Sequence, residues 1–293
     1  MSTTAAVQAI GGLKWVTNIN QPENNMSCSA DSNYQTLSIE HKDGADWLTL
    51  NRPDAFNAIN QVMTEELLDY FGKLYFKHEV RLVVLRGAGK HFCSGLDLND
   101  AGHFGASNPA DMRGQRLISE IIMRMRRCPQ PIIGLMQGAA TGGGFAFALA
   151  CDVRYAADNA RMNVAMAKIG LTGCDIGISY FLPRAVGTSN AAEMMMGGRF
   201  VNAKKALHIG LVSEVVESED LEAAGQSLVS DMLAMSPLGL RMTKEGLNFS
   251  QDAGSLESVI AMEDRGQVLC IAPFLEEGGQ AFMEKRPAVY SDE

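Results

Sequence analysis

Gly138-Ala-Ala-Thr-Gly-Gly-Gly-Phe145 and Ile169-Gly-Leu-Thr-Gly-Cys-Asp-Ile-Gly-Ile-Ser-Tyr-Phe-Leu-Pro-Arg184 are two glycine-rich turns, each opening into an apolar helix. Consecutive glycines at a helix start let the backbone approach a ligand closely, and a helix N-terminus favours negative charge there. The plain alternative for Gly142-Gly-Gly144 is a tight turn with close helix–strand packing. No Gly-Lys-Ser/Thr follows, so this is not a nucleotide P-loop. The second turn holds one acidic residue, Asp175, whose flanks are apolar apart from Thr172 and Cys174. Partial desolvation would raise its pKa and suit a general base. The competing reading is an N-cap for a helix over Ile176–Arg184, a place that aspartate fills well. Backbone N–H groups for an oxyanion and a lone carboxylate to carry a proton are the parts that enolate chemistry requires.

Outward from these turns, strand–turn–helix units recur without tight repetition. Thr36–His41 and Trp47–Asn51 alternate as a hairpin around Lys42-Asp-Gly-Ala. Asn60 suits the N-cap of a helix through Lys73, with Met63, Leu67, Leu68 and Phe71 on one face. Leu82–Arg86 is a buried-type strand that leads into Phe92-Cys-Ser-Gly-Leu-Asp97. That small-residue turn either presents the Leu96 N–H or is a plain strand-to-loop turn capped by Asp97. A helix near Asp111–Arg127 points Leu117, Ile118, Ile121, Ile122 and Met125 inward and stops at Cys128-Pro-Gln-Pro131. Ile132–Gln137 and Asp152–Ala156 are strands that flank a small-residue helix over Gly142–Ala150. Beyond Ser218 only helices are expected: Leu221–Met235, Pro237–Leu247, Leu256–Leu269 and Leu275–Glu284. The pattern predicts α/β layering with a turned or spiral sheet and a helical C-terminal module for packing or self-association. Three regions follow: a loose extension over 1–33, a core over 34–217, and the helical region over 218–293.

Composition narrows the function classes. A 46% hydrophobic, 20% charged chain reads as a soluble globular protein. A net charge of −9 disfavours nucleic acid as the main partner. No apolar run is long enough to span a membrane, and residues 1–33 lack a secretory or mitochondrial pattern. The Tyr-Ser-Asp-Glu end carries no peroxisomal address, so a cytoplasmic location is expected. The six cysteines form no CxxC pair, and no histidine stands at zinc-ligand spacing from them, so reduced thiols and no metal are expected. His41, His78, His91, His103 and His208 show no triad spacing, though His91 and His103 flank a candidate pocket loop from Asn99 to Met112.

Together these segments resemble the crotonase superfamily, the enoyl-CoA hydratase/isomerase family. The resemblance rests on Asn51-Arg-Pro-Asp-Ala-Phe-Asn-Ala58, Gly87-Ala-Gly-Lys-His-Phe-Cys-Ser-Gly-Leu-Asp97, Pro131-Ile-Ile-Gly-Leu-Met-Gln-Gly138, Gly142-Gly-Gly144, Cys151-Asp152 and Gly210-Leu-Val212. It implies an α/β crotonase-like spiral of ββα units with a C-terminal helical trimerisation region. It also implies an acyl-CoA thioester as substrate, with coenzyme A part of that substrate and no separate cofactor, and a homotrimer or dimer of trimers. The family's oxyanion-hole donors fall on Leu96 and Gly143. Its substrate contacts fall on Ala55, Phe56, Ala58, Ser94, Gly95, Asp97, Leu98 and Gly142, with Arg52 or Lys90 as candidates for the phosphates. Phe56 replaces a basic residue found there in some relatives.

The departures from the family pattern bear on the reaction. The two glutamates of family hydratases correspond to Ala146 and Met166 here. Asp175 falls where other members carry a working aspartate, and Asp-x-Gly-x-Ser-x-x-Leu-Pro-Arg is similar to isomerases that move a double bond with a single aspartate. The expectation is an enoyl-CoA isomerase with Asp175 as proton carrier. The alternatives are an enoyl-CoA hydratase, an acyl-CoA hydrolase or ring-opening enzyme with Asp175 activating water, and a non-catalytic acyl-CoA-binding or scaffold protein.

Overall fold

Strands of this chain are short and mostly buried on both faces, and their order follows from which helix covers which face. The computed structural model describes residues 34–100 and 107–291. The extension over 1–33, Gly102, His103 and Gly105 of the pocket loop, and the last two residues of the chain lie outside them.

In chain order, β1 (Leu37–Lys42), β2 (Ala45–Leu50), α1 (Gln61–Leu74), β3 (Leu82–Gly87) and α2 (Asn108–Arg127) come first. Then follow β4 (Ile132–Met136), β5 (Ala139–Thr141), α3 (Gly143–Ala150), β6 (Val153–Ala157), β7 (Arg161–Asn163) and α4 (Ile178–Gly197). Next come β8 (Val201–Asn202), α5 (Ala203–His208) and β9 (Glu214–Val216), and finally α6 (Leu221–Leu233), α7 (Pro237–Asp252) and α8 (Leu256–Glu284).

One sheet runs β1-β2-β3-β4-β6-β9, with β1 antiparallel to β2 and every later pairing parallel. Asp43 and Gly44, with φ of 54° and 83°, close the β1–β2 hairpin. Two consecutive left-handed residues match the twist of the strands they join. Successive residues of a strand face opposite ways. Val83, Leu85, Ile132 and Met136 enter the large core with α1, α2 and α3. Leu82, Val84, Ile133 and Leu135 form a second core under Leu221 and Val229 of α6. Gly225 lets α6 sit close, since a Cβ there would stand 2.6 Å from Leu135 Cδ1.

A second, three-stranded sheet runs β5-β7-β8. It is extended by two parallel bridges, Ile59 with Leu96 and Cys93 with Ala140. This layer carries the Phe92–Asp97 turn and the Gly142–Gly144 turn, and together the two sheets give the turned-sheet α/β architecture expected. The strands β5, β7, β8 and β9 escape sequence reading because two or three residues are too few for alternation to show.

Other boundaries differ from expectation for local reasons. Leu117 is exposed rather than inward, because the buried face of α2 follows Gly114, Ile118, Ile121, Ile122 and Met125. The helix expected over Ile176–Arg184 begins at Ile178 and continues to Gly197, with non-helical backbone at Gly187. The two helices expected over Leu256–Leu269 and Leu275–Glu284 are one, α8, running through Pro273. Before that proline α8 packs on α7, where Gly266 meets Met242. After it the chain folds back: Tyr290 lies edge-on to Phe274 at 5.6 Å, and Arg286 pairs with Glu277 at 2.7 Å. Both flanks are held, which offsets the roughly 3 kcal/mol that an internal proline costs a helix. Among the described residues no helix is long and apolar enough to cross a membrane.

Candidate active site

The Leu96 turn is built by backbone pairing on both sides. Ile59 N–H donates to Gly95 O at 2.8 Å and Asp97 N–H to Ile59 O at 2.9 Å. In that parallel bridge the N–H of Leu96 points the other way. Cys93 N–H donates to Ala139 O, and Thr141 N–H returns to Cys93 O, each at 3.0 Å. The Thr141 hydroxyl adds a bond to Ser94 O at 2.8 Å. The turn is thereby stitched to β5, which leads directly into α3.

Glycine is required where the two turns meet. Gly95 has φ of 92°, and a Cβ on it would lie 2.9 Å from Thr141 O and 3.3 Å from Gly143 N. Gly142, with φ of 55°, sets the start of α3. The N–H of Gly143 belongs to the first helical turn and has no partner within the helix. Among the described residues neither Leu96 N–H nor Gly143 N–H makes a hydrogen bond. Two adjacent unsatisfied donors, one at a helix N-terminus, are the parts that a cradle for an oxyanion requires.

The loop Arg52–Ala58 lies beside this turn, with Ser94 N–H donating to Phe56 O at 3.1 Å. Ala58 is buried, while Phe56 and Leu98 are exposed. Sequence reasoning passed over Asn57, which holds the loop. It is fully buried with φ of 55°; its Nδ2 donates to Ala88 O and His91 O, and its Oδ1 accepts from Arg52 N–H. An asparagine that tolerates left-handed backbone and satisfies three polar atoms is a turn signal. Arg52 faces inward, donating to Ala58 O and to Asp97 Oδ2 at 2.9 Å. Its guanidinium therefore holds the fold rather than facing solvent phosphates. The Asp97 carboxylate is committed to Arg52 and to Asn99 N–H. Burial works to raise its pKa, but these bonds together hold it below the usual range. Lys90 is exposed.

His91 accepts from Ala139 N–H through Nδ1 at 3.1 Å, which places its proton on Nε2. Burial, with Arg161 and Lys90 nearby, lowers its pKa. Phe56 packs edge-on against its ring at 5.1 Å.

Asp175 precedes α4 in a left-handed turn: Ile176 has φ of 31° and Gly177 of 91°. A β-branched residue in that region is strained, and such strain persists where the surroundings impose it. The side chain does not cap α4, whose N-cap is Gly177, so the capping role is not realised. Instead Asp175 Oδ1 accepts from Gln115 Nε2 at 2.5 Å, and the carboxylate also accepts from Ile176 N–H. Burial raises its pKa, opposed by these two bonds. Ile176 joins the turn to the cradle: a Cβ on Gly143 would stand 2.9 Å from Ile59 Cδ1 and 3.8 Å from Ile176 Cδ1. Gln115 was also missed from sequence. Its only signal is a polar residue in line with Ile118, Ile122 and Met125.

Ala146 and Met166 are both buried. Cys93 and Cys151 are buried, and burial pushes each thiol up to about 12, which leaves them unreactive. Cys174 is exposed, with its N–H on Thr172 Oγ1. Among the described residues no three His, Cys, Asp or Glu converge as a metal site.

The family profile described as Enoyl-CoA hydratase/isomerase matches residues 40–293. A "Probable enoyl-CoA hydratase" of Mycobacterium bovis is 38% identical over 253 residues, spanning 84% of this chain and 89% of that protein. The 1,2-epoxyphenylacetyl-CoA isomerase of Escherichia coli is 31% identical over 243 residues, 82% of this chain and 92% of that protein. Among solved structures, a probable enoyl-CoA hydratase/isomerase from Mycobacterium abscessus superposes with a TM-score of 0.82 at 37% identity, covering 88% of this chain and 99% of that one.

Proposed function

This chain belongs to the enoyl-CoA hydratase/isomerase family, and within that family's chemistry on acyl-CoA substrates we propose that it shifts a carbon–carbon double bond with Asp175 as the sole proton carrier. The observation that carries this reading is the presence of buried Ala146 and Met166 where family hydratases carry carboxylates, with Asp175 directly before Ile176, whose Cδ1 lies 3.8 Å from a Cβ placed on Gly143.

The thioester carbonyl binds between the N–H groups of Leu96 and Gly143. Asp175 removes a proton from the α-carbon of a 3-enoyl thioester. The C–H electron pair moves into the conjugated system, and the resulting dienolate oxygen is held by the two N–H groups. One such donor lowers a barrier by about 3–4 kcal/mol. Asp175 then returns the proton to the γ-carbon, leaving the 2-enoyl thioester and the starting carboxylate. No water enters, so one carboxylate suffices. Hydration needs one group to activate water and another to protonate the α-carbon, and the residues at positions 146 and 166 offer neither. The coenzyme A portion runs along Ala55, Phe56, Ala58, Ser94, Gly95, Asp97, Leu98 and Gly142 in this reading. The likeness to an epoxyphenylacetyl-CoA isomerase agrees with isomerase chemistry.

The test is turnover of 3-enoyl-CoA against 2-enoyl-CoA by wild type and Asp175→Asn. Isomerisation without water addition, lost in the variant while acyl-CoA binding stays, supports the reading. Hydration that survives the variant overturns it. A hydratase is the second reading, favoured by the names of several relatives, including the (E)-benzylidenesuccinyl-CoA hydratase of Thauera aromatica. Product analysis in oxygen-18 water separates the two, since isomerisation incorporates no solvent oxygen, whereas hydration and hydrolysis do.

Self-association as a trimer or dimer of trimers is part of the proposal. Leu256, Val268, Leu269, Leu275, Phe282 and Met283 of α8 are exposed apolar side chains, more than a solvated helix ordinarily carries. Sedimentation of the full chain at three or six protomers is the expected result, and a monomer at micromolar concentration would rule it out.

A further inference from the structure

Gln115 and Asp175 stand 60 residues apart in sequence, yet Gln115 Nε2 reaches Asp175 Oδ1 at 2.5 Å. They meet because α2 packs on the turn before α4, where a Cβ on Gly177 would lie 3.5 Å from Ile122 Cγ2. Gln115 is half-buried, and among the described residues no side chain bonds to Asp175 Oδ2. A carboxamide N–H donates at every working pH and never takes up the proton itself. It therefore holds Oδ1, and with it the rotation of the carboxylate, at every working pH. We propose that Gln115 is the positioning residue for Asp175: by pinning Oδ1 it leaves a single oxygen, Oδ2, to remove the proton from one carbon and return it to the other before water can exchange it. This rests on Asp175 being the proton carrier.

The bonds balance. The α-carbon C–H breaks and Oδ2–H forms, with the electron pair entering the dienolate. Then Oδ2–H breaks and the γ-carbon C–H forms. Gln115 loses and gains nothing. The charged residues on the elements around the turn are Asp111, Arg113, Arg116, Glu120, Arg124, Arg126 and Arg127 on α2, Lys168 just before the turn, and Arg184 and Glu193 on α4. The inward stretch of α3 carries none. No charged partner contributes to the shift of Asp175, which arises from burial and the bonds from Gln115 and Ile176.

The test uses Gln115→Met, which fills the space without a donor, and Gln115→Glu. Three readouts are taken: the Asp175 protonation midpoint by infrared difference titration against Asp175→Asn, kcat and KM on 3-enoyl-CoA, and deuterium carried from the α-carbon into the product. Gln115→Met is expected to raise the midpoint by about one pH unit, as loss of one hydrogen bond to the charged form predicts. Its kcat falls about tenfold with KM within about twofold, as loss of an interaction made in the transition state predicts. Deuterium carried into product drops to about half the wild-type share or less, because the freed carboxylate rotates and exchanges. Gln115→Glu raises the midpoint further through a second carboxylate. A wild-type midpoint and wild-type deuterium transfer in Gln115→Met would reduce Gln115 to a packing residue and overturn the proposal, whatever kcat does. Wild type that transfers no deuterium overturns it as well. If Gln115→Met does not fold, Gln115→Asn, one methylene too short to reach, takes its place. Turnover retained in Asp175→Asn sinks the proton-carrier reading itself; an inactive Asp175→Asn beside an unaffected Gln115→Met sinks only the role of Gln115.

Discussion

Gly95 touches the start of α3 so closely that a Cβ on it would lie 3.3 Å from the amide nitrogen of Gly143. The contact joins two turns 48 residues apart in the chain, the one that carries Leu96 and the one that opens α3 at Gly143. Gly95→Ala adds a clash 2.9 Å from Thr141 O at a φ of 92° that alanine resists. It is expected to cost roughly 3 kcal/mol of barrier, about a hundredfold in kcat, by displacing one donor. Steady-state kinetics with a thermal melt on the same sample check this; wild-type kcat would show that the cradle does not depend on the contact.

Asp175 has its pKa raised by burial, against the pull of Gln115 and Ile176 N–H. With Asp175 as the proposed base, acting in its ionised form, kcat/KM is expected to fall as pH drops through that raised value rather than through the ordinary carboxylate range near 4. The stability consequence has the opposite sense. A carboxyl with a raised folded pKa binds more protons folded than unfolded in that window, so stability is present at low pH and is lost as pH rises through the folded value. Asp175→Asn, which still accepts from Gln115, is therefore expected to melt higher than wild type at pH 7. An equal or lower melting temperature at pH 7, with equality at pH 4, would contradict the desolvated carboxylate.

Arg52 clamps the segment that carries Leu96. Its ion pair with Asp97 is largely buried, with side chains 20% and 10% exposed. Arg52→Met strands the Asp97 carboxylate and is expected to cost about 3 kcal/mol. Asp97 has a lowered pKa, so its contribution is present above the unfolded pKa and is lost as pH falls through the folded value. Urea titrations of wild type and variant should therefore differ at pH 7 and converge near pH 2. A constant gap across that range would show that the loss is packing alone.

Lys244 is nearly fully buried on α7, with Nζ 3.0 Å from Asp152 Oδ2 and 2.7 Å from Gln130 O. Asp152 in turn accepts from Ile132 N–H at the start of β4. Lys244→Met leaves that carboxylate with Ile132 N–H and, as its remaining ion-pair partner among the described residues, Arg126 at 3.8 Å. A loss of roughly 3–5 kcal/mol in chemical denaturation is expected. In Lys244→Met/Asp152→Asn the loss should be partly relieved, because the orphaned charge is gone.

Local chemistry was legible in the chain. Asn60 caps α1 through Met63 N–H as its position predicted. The glycines at 95, 142 and 177 mark turns with positive φ, and at 95 and 177 it reaches 92° and 91°, values that a residue with a Cβ rarely adopts. The apolar stripe of α2 was readable except at Leu117, one residue off the true face. Strands of two or three residues were not readable, since pairing with distant partners rather than their own pattern makes them strands. Pro273 misled for the same reason: α7 and the returning tail, not local propensity, hold α8 together.

By itself the sequence determined the turns, the runs that become strands and helices, and the absence of acids at positions 146 and 166, because these depend on residue identity and near neighbours. Only the tertiary structure decided that Asp175 meets Gln115 rather than capping α4, and that Arg52 turns inward to Asp97. It also decided that Gly95 abuts Gly143. Each of those contacts joins segments 45 or more residues apart, and their geometry is set by how the layers pack, which no local pattern encodes.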